Sequence, residues 1–206
     1  GFPEGRDREQ RVAYTQLTFA QRDHEADCIA RGLISMGVQP GDRLAMFVPP
    51  SLESIALTFG VFRSGAVCTM IDPGMGRANV FRCLDQCDPS GFIAIPIVQF
   101  IRQLKFRRFG SARFNIVAGS KKRRFGCPSY SDLVRIGAGV SNDLPQTSST
   151  DQAAIIFTSG STGPPKGVSY EHGMFDSQVD LIRERFSIQP GEVDLPGFPL
   201  FALFNI

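Results

Sequence analysis

Ten consecutive residues, Thr158-Ser159-Gly160-Ser161-Thr162-Gly163-Pro164-Pro165-Lys166-Gly167, combine small side chains, hydroxyls and one ammonium group in an order suited to gripping a polyphosphate. Gly160 and Gly163 let backbone N–H groups approach phosphate oxygens, Thr158, Ser159, Ser161 and Thr162 add hydroxyl donors, and Lys166 adds a localised positive charge. The spacing is not that of a Walker loop. Pro165 precedes the lysine where glycine is required, Gly167 takes the place of the required hydroxyl residue, and Val168-Ser169-Tyr170 reads as extended chain rather than as a helix start. Gly160 and Gly163 do not complete a dinucleotide fingerprint either. A ligand-free Gly/Ser turn is the plain alternative. It is disfavoured because Ala153-Ala154-Ile155-Ile156-Phe157, a run of central-strand character, leads straight into the loop.

Holding such a loop requires a layered scaffold, and the upstream sequence supplies one. From Thr18 to Gly37, Ala26, Ile29, Ala30 and Leu33 recur at helical spacing behind a Thr18-x-x-Gln21 capping box. Pro40-Gly41-Asp42 turns the chain into a short apolar strand, Arg43 to Val48. Ser51 caps a second helix that presents Leu52, Ile55, Ala56 and Phe59 and ends near Ser64-Gly65. Ala66 to Ile71 is again strand-like, Asp72-Pro73-Gly74-Met75-Gly76 is a loop, Ala78 to Cys87 is helical, and Gly91 to Ile95 is a buried strand. Ser141 to Thr150 is polar enough to be an exposed connection. Alternation of this kind predicts an α/β fold with mostly parallel sheets flanked by helices.

The chain has 206 residues, with 22 Lys and Arg against 20 Asp and Glu, a balance that gives no reason to expect a nucleic-acid partner. Cys28, Cys68, Cys83, Cys87 and Cys127 lack zinc-type spacing, so no metal site is expected among them and a reducing, cytoplasmic setting is. No apolar run has the length that a bilayer demands. Basic residues accumulate from Lys105 to Arg124 without an acidic one among them. They form either a solvated face or a patch for peripheral membrane contact or a carrier protein.

The ungapped run from Ala154 to Val168, centred on Thr158-Ser159-Gly160-Ser161-Thr162-Gly163-x-Pro165-Lys166-Gly167, resembles the signature of the adenylate-forming superfamily of acyl-CoA synthetases, luciferases and peptide-synthetase adenylation domains. The resemblance implies that a carboxylate attacks the α-phosphate of ATP, pyrophosphate leaves, and a second nucleophile captures the acyl-adenylate. Lys166 would stabilise phosphate, with Thr158, Ser159, Gly160, Ser161, Thr162, Gly163 and Gly167 cradling the nucleotide and Mg2+ accompanying it. His172, in Glu171-His172-Gly173, stands where relatives carry a histidine at a helix start, usually in a packing role. His24 reads as a surface residue.

Phe198 to Phe204 is similar to the segment that borders the acyl pocket in acyl- and aryl-CoA synthetases. Phe201 and Ala202 are its candidate pocket residues, with Ala202 in place of the usual histidine. Together with Asp72 to Gly76, this segment resembles the fatty-acid-CoA ligase branch that includes the β-lactone synthetases of bacterial olefin biosynthesis. That branch implies a fatty or β-hydroxy fatty acid substrate whose own hydroxyl closes a β-lactone. Acyl-CoA ligation with coenzyme A is the alternative, and a non-catalytic nucleotide-binding or lipid-interaction module is the alternative of another class. Residues 1–206 are expected to be an incomplete amino-terminal AMP-binding domain without its carboxy-terminal subdomain, and to be inactive in isolation.

Overall fold

The computed structural model describes residues 2–6, 10–105, 107–120, 122, 124–158 and 163–192, with the backbone alone at 2–6, 12, 13 and 15. An antiparallel pair, β1 (Phe2–Arg6) and β2 (Val12–Thr15), stands apart from the main sheet. That sheet has six strands in the order β6-β5-β3-β4-β7-β8. They are β3 (Arg43–Phe47), β4 (Val67–Ile71), β5 (Gly91–Ala94), β6 (Phe114–Val117), β7 (Gln152–Thr158) and β8 (Lys166–Glu171). Every neighbour pair is parallel except β7 with β8. The expected α/β architecture with a mostly parallel sheet is thus the observed one.

Helices cover both faces. One face carries α1 (Phe19–Ser35), α2 (Leu52–Arg63) and α5 (Tyr130–Ala138), whose Ile29, Leu33, Leu57, Val61 and Leu133 join Leu44, Ile93 and Ile156 in one apolar core. The opposite face carries α3 (Arg77–Cys87) and α4 (Pro96–Leu104). There Leu84, Cys83 and Cys87 pack with Phe47, Phe92, Phe109 and Phe157. Each fully buried Leu or Ile contributes roughly 1.5–3 kcal/mol relative to exposure. The division follows from topology. Right-handed crossovers that step along the sheet in opposite directions, β3 to β4 through α2 and then β4 to β5 and β5 to β6 through α3 and α4, lie on opposite faces.

Local signals specify the helix starts. Thr18 Oγ1 accepts from the Gln21 N–H at 3.1 Å while Gln21 Oε1 accepts from the Thr18 N–H at 2.9 Å, the expected reciprocal cap. Ser51 and Ser54 form the same device at α2. The face that α2 buries differs from the expected one. Leu57, Val61 and Phe62 turn inward with Ala56, while Phe59 is exposed. The helix is apolar almost all round, so its own sequence leaves the choice open. Gly60 decides it, because a Cβ there would lie 2.3 Å from Ile29 Cγ2, and only a glycine surface lets α1 approach.

At α5 the Ser129 N–H and hydroxyl and the Arg135 guanidinium bond the Asp132 carboxylate, the backbone N–H having the largest effect, and lower its pKa from 3.8 to about 2. A depressed carboxylate pKa stabilises the fold above its unfolded value, and that stability is lost as pH falls toward the folded value. Asp132→Asn should therefore cost roughly 1 kcal/mol near neutrality, a value discounted for solvent screening, and the difference should vanish as pH falls from about 4 to about 2. Urea midpoints of both proteins across that window measure it. A constant difference would remove the titration from the account.

Candidate functional site

Parallel strands β3, β4, β5 and β7 all end at one edge of the sheet, where Thr158 at the end of β7 pairs with Lys166. After β3 the chain runs to β4 on one side, and after β5 it runs to β6 on the other, so a crevice opens where the two directions diverge. A cavity of about 580 Å³ occupies this edge. Phe47, Pro49 and Pro50 leaving β3, Ile71 and Pro73 leaving β4, and Ile95 leaving β5 contribute to its lining. Val80, Phe81 and Phe109 add apolar surface, and Arg77 and Arg102 are the charged members. Such a space favours an apolar group that can also reach a cation. Sequence reasoning did not identify these lining residues. The Pro-Pro and Asp-Pro steps directly after apolar strands were the available signal.

The signature segment forms the connection of a β-hairpin. Thr158 ends β7 and stands opposite Lys166, which opens β8, and Phe157 stands opposite Gly167. Thr158, Gly163 and Lys166 are exposed at the carboxyl edge while Pro165 is buried. A buried proline that can donate no backbone hydrogen bond seats one end of the loop on the sheet. Ser159, Gly160, Ser161 and Thr162 lie outside the described residues, as do Phe201 and Ala202. The extended Val168-Ser169-Tyr170 belongs to β8, as its sequence suggested.

Gly167 has a packing reason beside any ligand role. A Cβ there would lie 3.1 Å from the Phe157 ring and 3.1 Å from Ile155 Cγ2. The aromatic ring of the facing strand thus fills the room that a side chain would need, a pairing by which an aromatic residue compensates a strand glycine. This holds the hairpin mouth in register.

His172 is the first residue of α6 (His172–Phe186). Its ring meets Phe62 edge-on at 5.7 Å between centroids, and its backbone N–H donates to the Asp151 carbonyl at 3.1 Å. Burial lowers its pKa, against smaller upward effects of Asp151 and Asp176, and Nε2 is buried without a hydrogen-bond partner among the described residues. A neutral imidazole that packs α6 against α2 fits these facts, and the expected packing role is the observed one. His24 is exposed, with Nε2 3.6 Å from Cys28 Sγ.

All five cysteines are buried free thiols, and burial drives the Cys68 and Cys87 pKa values up to about 12. Among the described residues no group of three or more His, Cys, Asp or Glu converges as a metal site, and no helix is long and apolar enough to cross a membrane.

The model of a family described as AMP-binding enzyme matches residues 4–205. An olefin beta-lactone synthetase of Xanthomonas campestris is 42% identical over 204 residues, which cover 98% of this chain and 36% of that protein. One of Stenotrophomonas maltophilia is 39% identical over 189 residues, covering 92% of this chain and 34% of that protein. The chain therefore spans about a third of the length of these curated relatives. Among solved structures, the acetoacetyl-CoA synthetase of Streptomyces lividans superposes with a TM-score of 0.75 at 18% identity, over 94% of this chain and 32% of that one. ATP-bound MatB of Rhodopseudomonas palustris gives 0.70 at 19% identity, over 98% and 41%. At such identities these two likenesses concern the fold.

Proposed function

Because the chain belongs to the family of AMP-binding enzymes, which use ATP to form adenylates, we propose that the protein activates a fatty acid, in particular a β-hydroxy fatty acid, and closes it to a β-lactone. In the first step a carboxylate oxygen bonds to the α-phosphorus of ATP, the bond to the β-phosphate bridge breaks, and pyrophosphate leaves. In the second, the β-hydroxyl oxygen bonds to the activated carbonyl carbon, AMP leaves with its oxygen, and the hydroxyl proton passes to solvent or a base. Atoms and electrons balance without a thiol. The single observation that carries the lactone reading is the 42% identity, along almost the whole chain, to a protein named for that activity.

The hairpin supports the role assigned to the signature loop. Phosphoryl and nucleotidyl transfer depend on in-line placement and charge neutralisation more than on covalent help from the protein. A loop whose two ends are paired as Thr158 with Lys166 confines seven residues between strands at the carboxyl edge of a parallel sheet. In this reading Lys166 neutralises the departing pyrophosphate. Thr158, Ser159, Ser161 and Thr162 donate hydroxyl hydrogen bonds, and Gly160, Gly163 and Gly167 leave the backbone approachable. Mg2+ bound to the phosphates would add further charge neutralisation. Phe201 and Ala202, assigned in this reading to the acyl border, are apolar residue types, as an aliphatic tail requires.

The deciding assay supplies the full-length protein with ATP and a long β-hydroxy acid, with and without coenzyme A. Lactone, AMP and pyrophosphate in equal amounts without the thiol are expected. Product formation that depends strictly on coenzyme A would assign the protein to acyl-CoA ligation instead, and absence of pyrophosphate release with every acid would leave only a binding module.

A further inference from the structure

Helix α4 is inverted. Ile97, Phe100, Ile101 and Leu104 recur at i, i+3, i+4 and i+7, the spacing of a buried stripe, yet their exposures are 57%, 41%, 39% and 67%. The side that packs inward carries Gln99, which is 0% exposed. Its Nε2 donates to the Phe92 carbonyl at 3.0 Å and the Ile116 carbonyl at 2.9 Å, and its Oε1 accepts from Arg102 Nε at 2.8 Å. A buried amide satisfied three times fixes the rotation of the helix, because turning the stripe inward would strand those carbonyls. Phe125, 37% exposed, extends the ridge by packing on Phe100 at 5.8 Å between centroids.

The ridge has a cationic border. Nine of the chain's 22 Lys and Arg, and none of its 20 Asp and Glu, lie between Pro89 and Ser131. Lys105, Arg107, Lys122 and Arg124 among them are exposed. Arg108 contributes less, since it forms a bidentate pair with Asp85. Aliphatic and aromatic side chains facing solvent beside concentrated positive charge are the features of an interfacial helix, which sinks its apolar side among acyl chains while lysines and arginines meet anionic headgroups.

We propose that α4 and the basic segment after it dock the protein on an anionic membrane surface. Charge selects this occupant over an acidic carrier protein, because the apolar stripe runs the length of the helix and its exposed cations lie beyond its carboxyl end, as a planar interface with charged headgroups above an apolar layer demands. Val98, Ile101 and Arg102 of the same helix also line the cavity at the carboxyl edge, so docking would bring lipid next to that space. The inference is independent of which acid is activated.

The test is co-sedimentation of the full-length protein with phosphatidylcholine vesicles containing about 30% phosphatidylglycerol, and with phosphatidylcholine alone, at low and high salt. Binding to the anionic vesicles that weakens at least about tenfold with salt is expected, together with a loss of about tenfold or more in the Ile97→Asn/Leu104→Asn double variant. ATP–pyrophosphate exchange with a water-soluble acid should be unchanged in that variant, which separates failure of docking from failure of the catalytic reading. Equal binding by wild type and variant, or none to anionic vesicles, would overturn the proposal. So would a Leu104→Cys protein that resists a water-soluble maleimide, since the ridge would then be covered by the rest of the chain.

Discussion

Lys166→Ala in the full-length enzyme is expected to lower ATP–pyrophosphate exchange by about 100-fold or more. Removing one preorganised donor from a site of developing charge costs roughly 2.7–4 kcal/mol of transition-state stabilisation. An ammonium facing the leaving pyrophosphate acts in that way, because its attraction grows as negative charge collects on the departing oxygens. Lys166 is exposed at the first position of β8, so the substitution deletes charge without opening a cavity. The melting temperature should accordingly remain close to that of the wild type. Lys166→Arg keeps the charge on a wider, planar group and should restore part of the rate. The informative comparison is kcat against KM for ATP. A loss confined to KM would show uniform binding, and unchanged exchange in a folded variant would remove Lys166 from the chemistry.

Gly137→Ala should be the most damaging single methyl addition to the fold. A Cβ at that position would lie 1.7 Å from the Cys28 carbonyl oxygen and 2.8 Å from the Gly32 backbone nitrogen. Across the same contact, a Cβ on Gly32 would lie 2.4 Å from the Leu133 carbonyl oxygen. Helices α1 and α5 therefore touch backbone to backbone through two glycines, and the atoms nearest to a Cβ on Gly137 are all backbone, with no flexible side chain among them that could move aside. Overpacking typically costs 1–3 kcal/mol, and here a rigid backbone group must give way, so about 3 kcal/mol or more is expected. In a chain of this size that is a fall of roughly 6–12 °C in melting temperature. Gly139→Ala is the control, since the nearest atoms to its Cβ would be 3.5 Å away and its φ is −83°. Thermal or urea unfolding that places the two variants within about 0.5 kcal/mol of each other would contradict the close approach.

Much of the fold was readable from local pattern. The reciprocal cap at Thr18, the cap at Ser51, the apolar runs of β3, β4, β5 and β7, and the turn at Asp72-Pro73-Gly74 each depend on residues within a few positions of one another. Asp72 Oδ1 accepts from the Gly74 N–H at 2.8 Å, for example. Short-range hydrogen bonds and hydrophobic period are properties of the segment itself. The stretch from Pro96 to Val117 was harder. It holds α4 and β6, but the stripe of α4 carries the period of a buried face, and only the carbonyls of Phe92 and Ile116 reveal why that face is turned outward. The small strand pair β1–β2 also escaped the reading, as short strands draw their stability from a partner.

By itself the sequence determined the signature loop, with its hydroxyls, glycines and lysine after a central strand, and through it the kind of chemistry to expect. Tertiary structure decided the rest of the arrangement. It placed β5 beside β3 rather than β4, paired the two ends of the signature loop, Thr158 and Lys166, across an antiparallel strand pair, and chose the buried side of α2 through Gly60 and Ile29. These choices rest on contacts between residues far apart in the chain. Such contacts are selected by packing density and by the pairing of backbone groups across the whole sheet, and no window of neighbouring residues contains them.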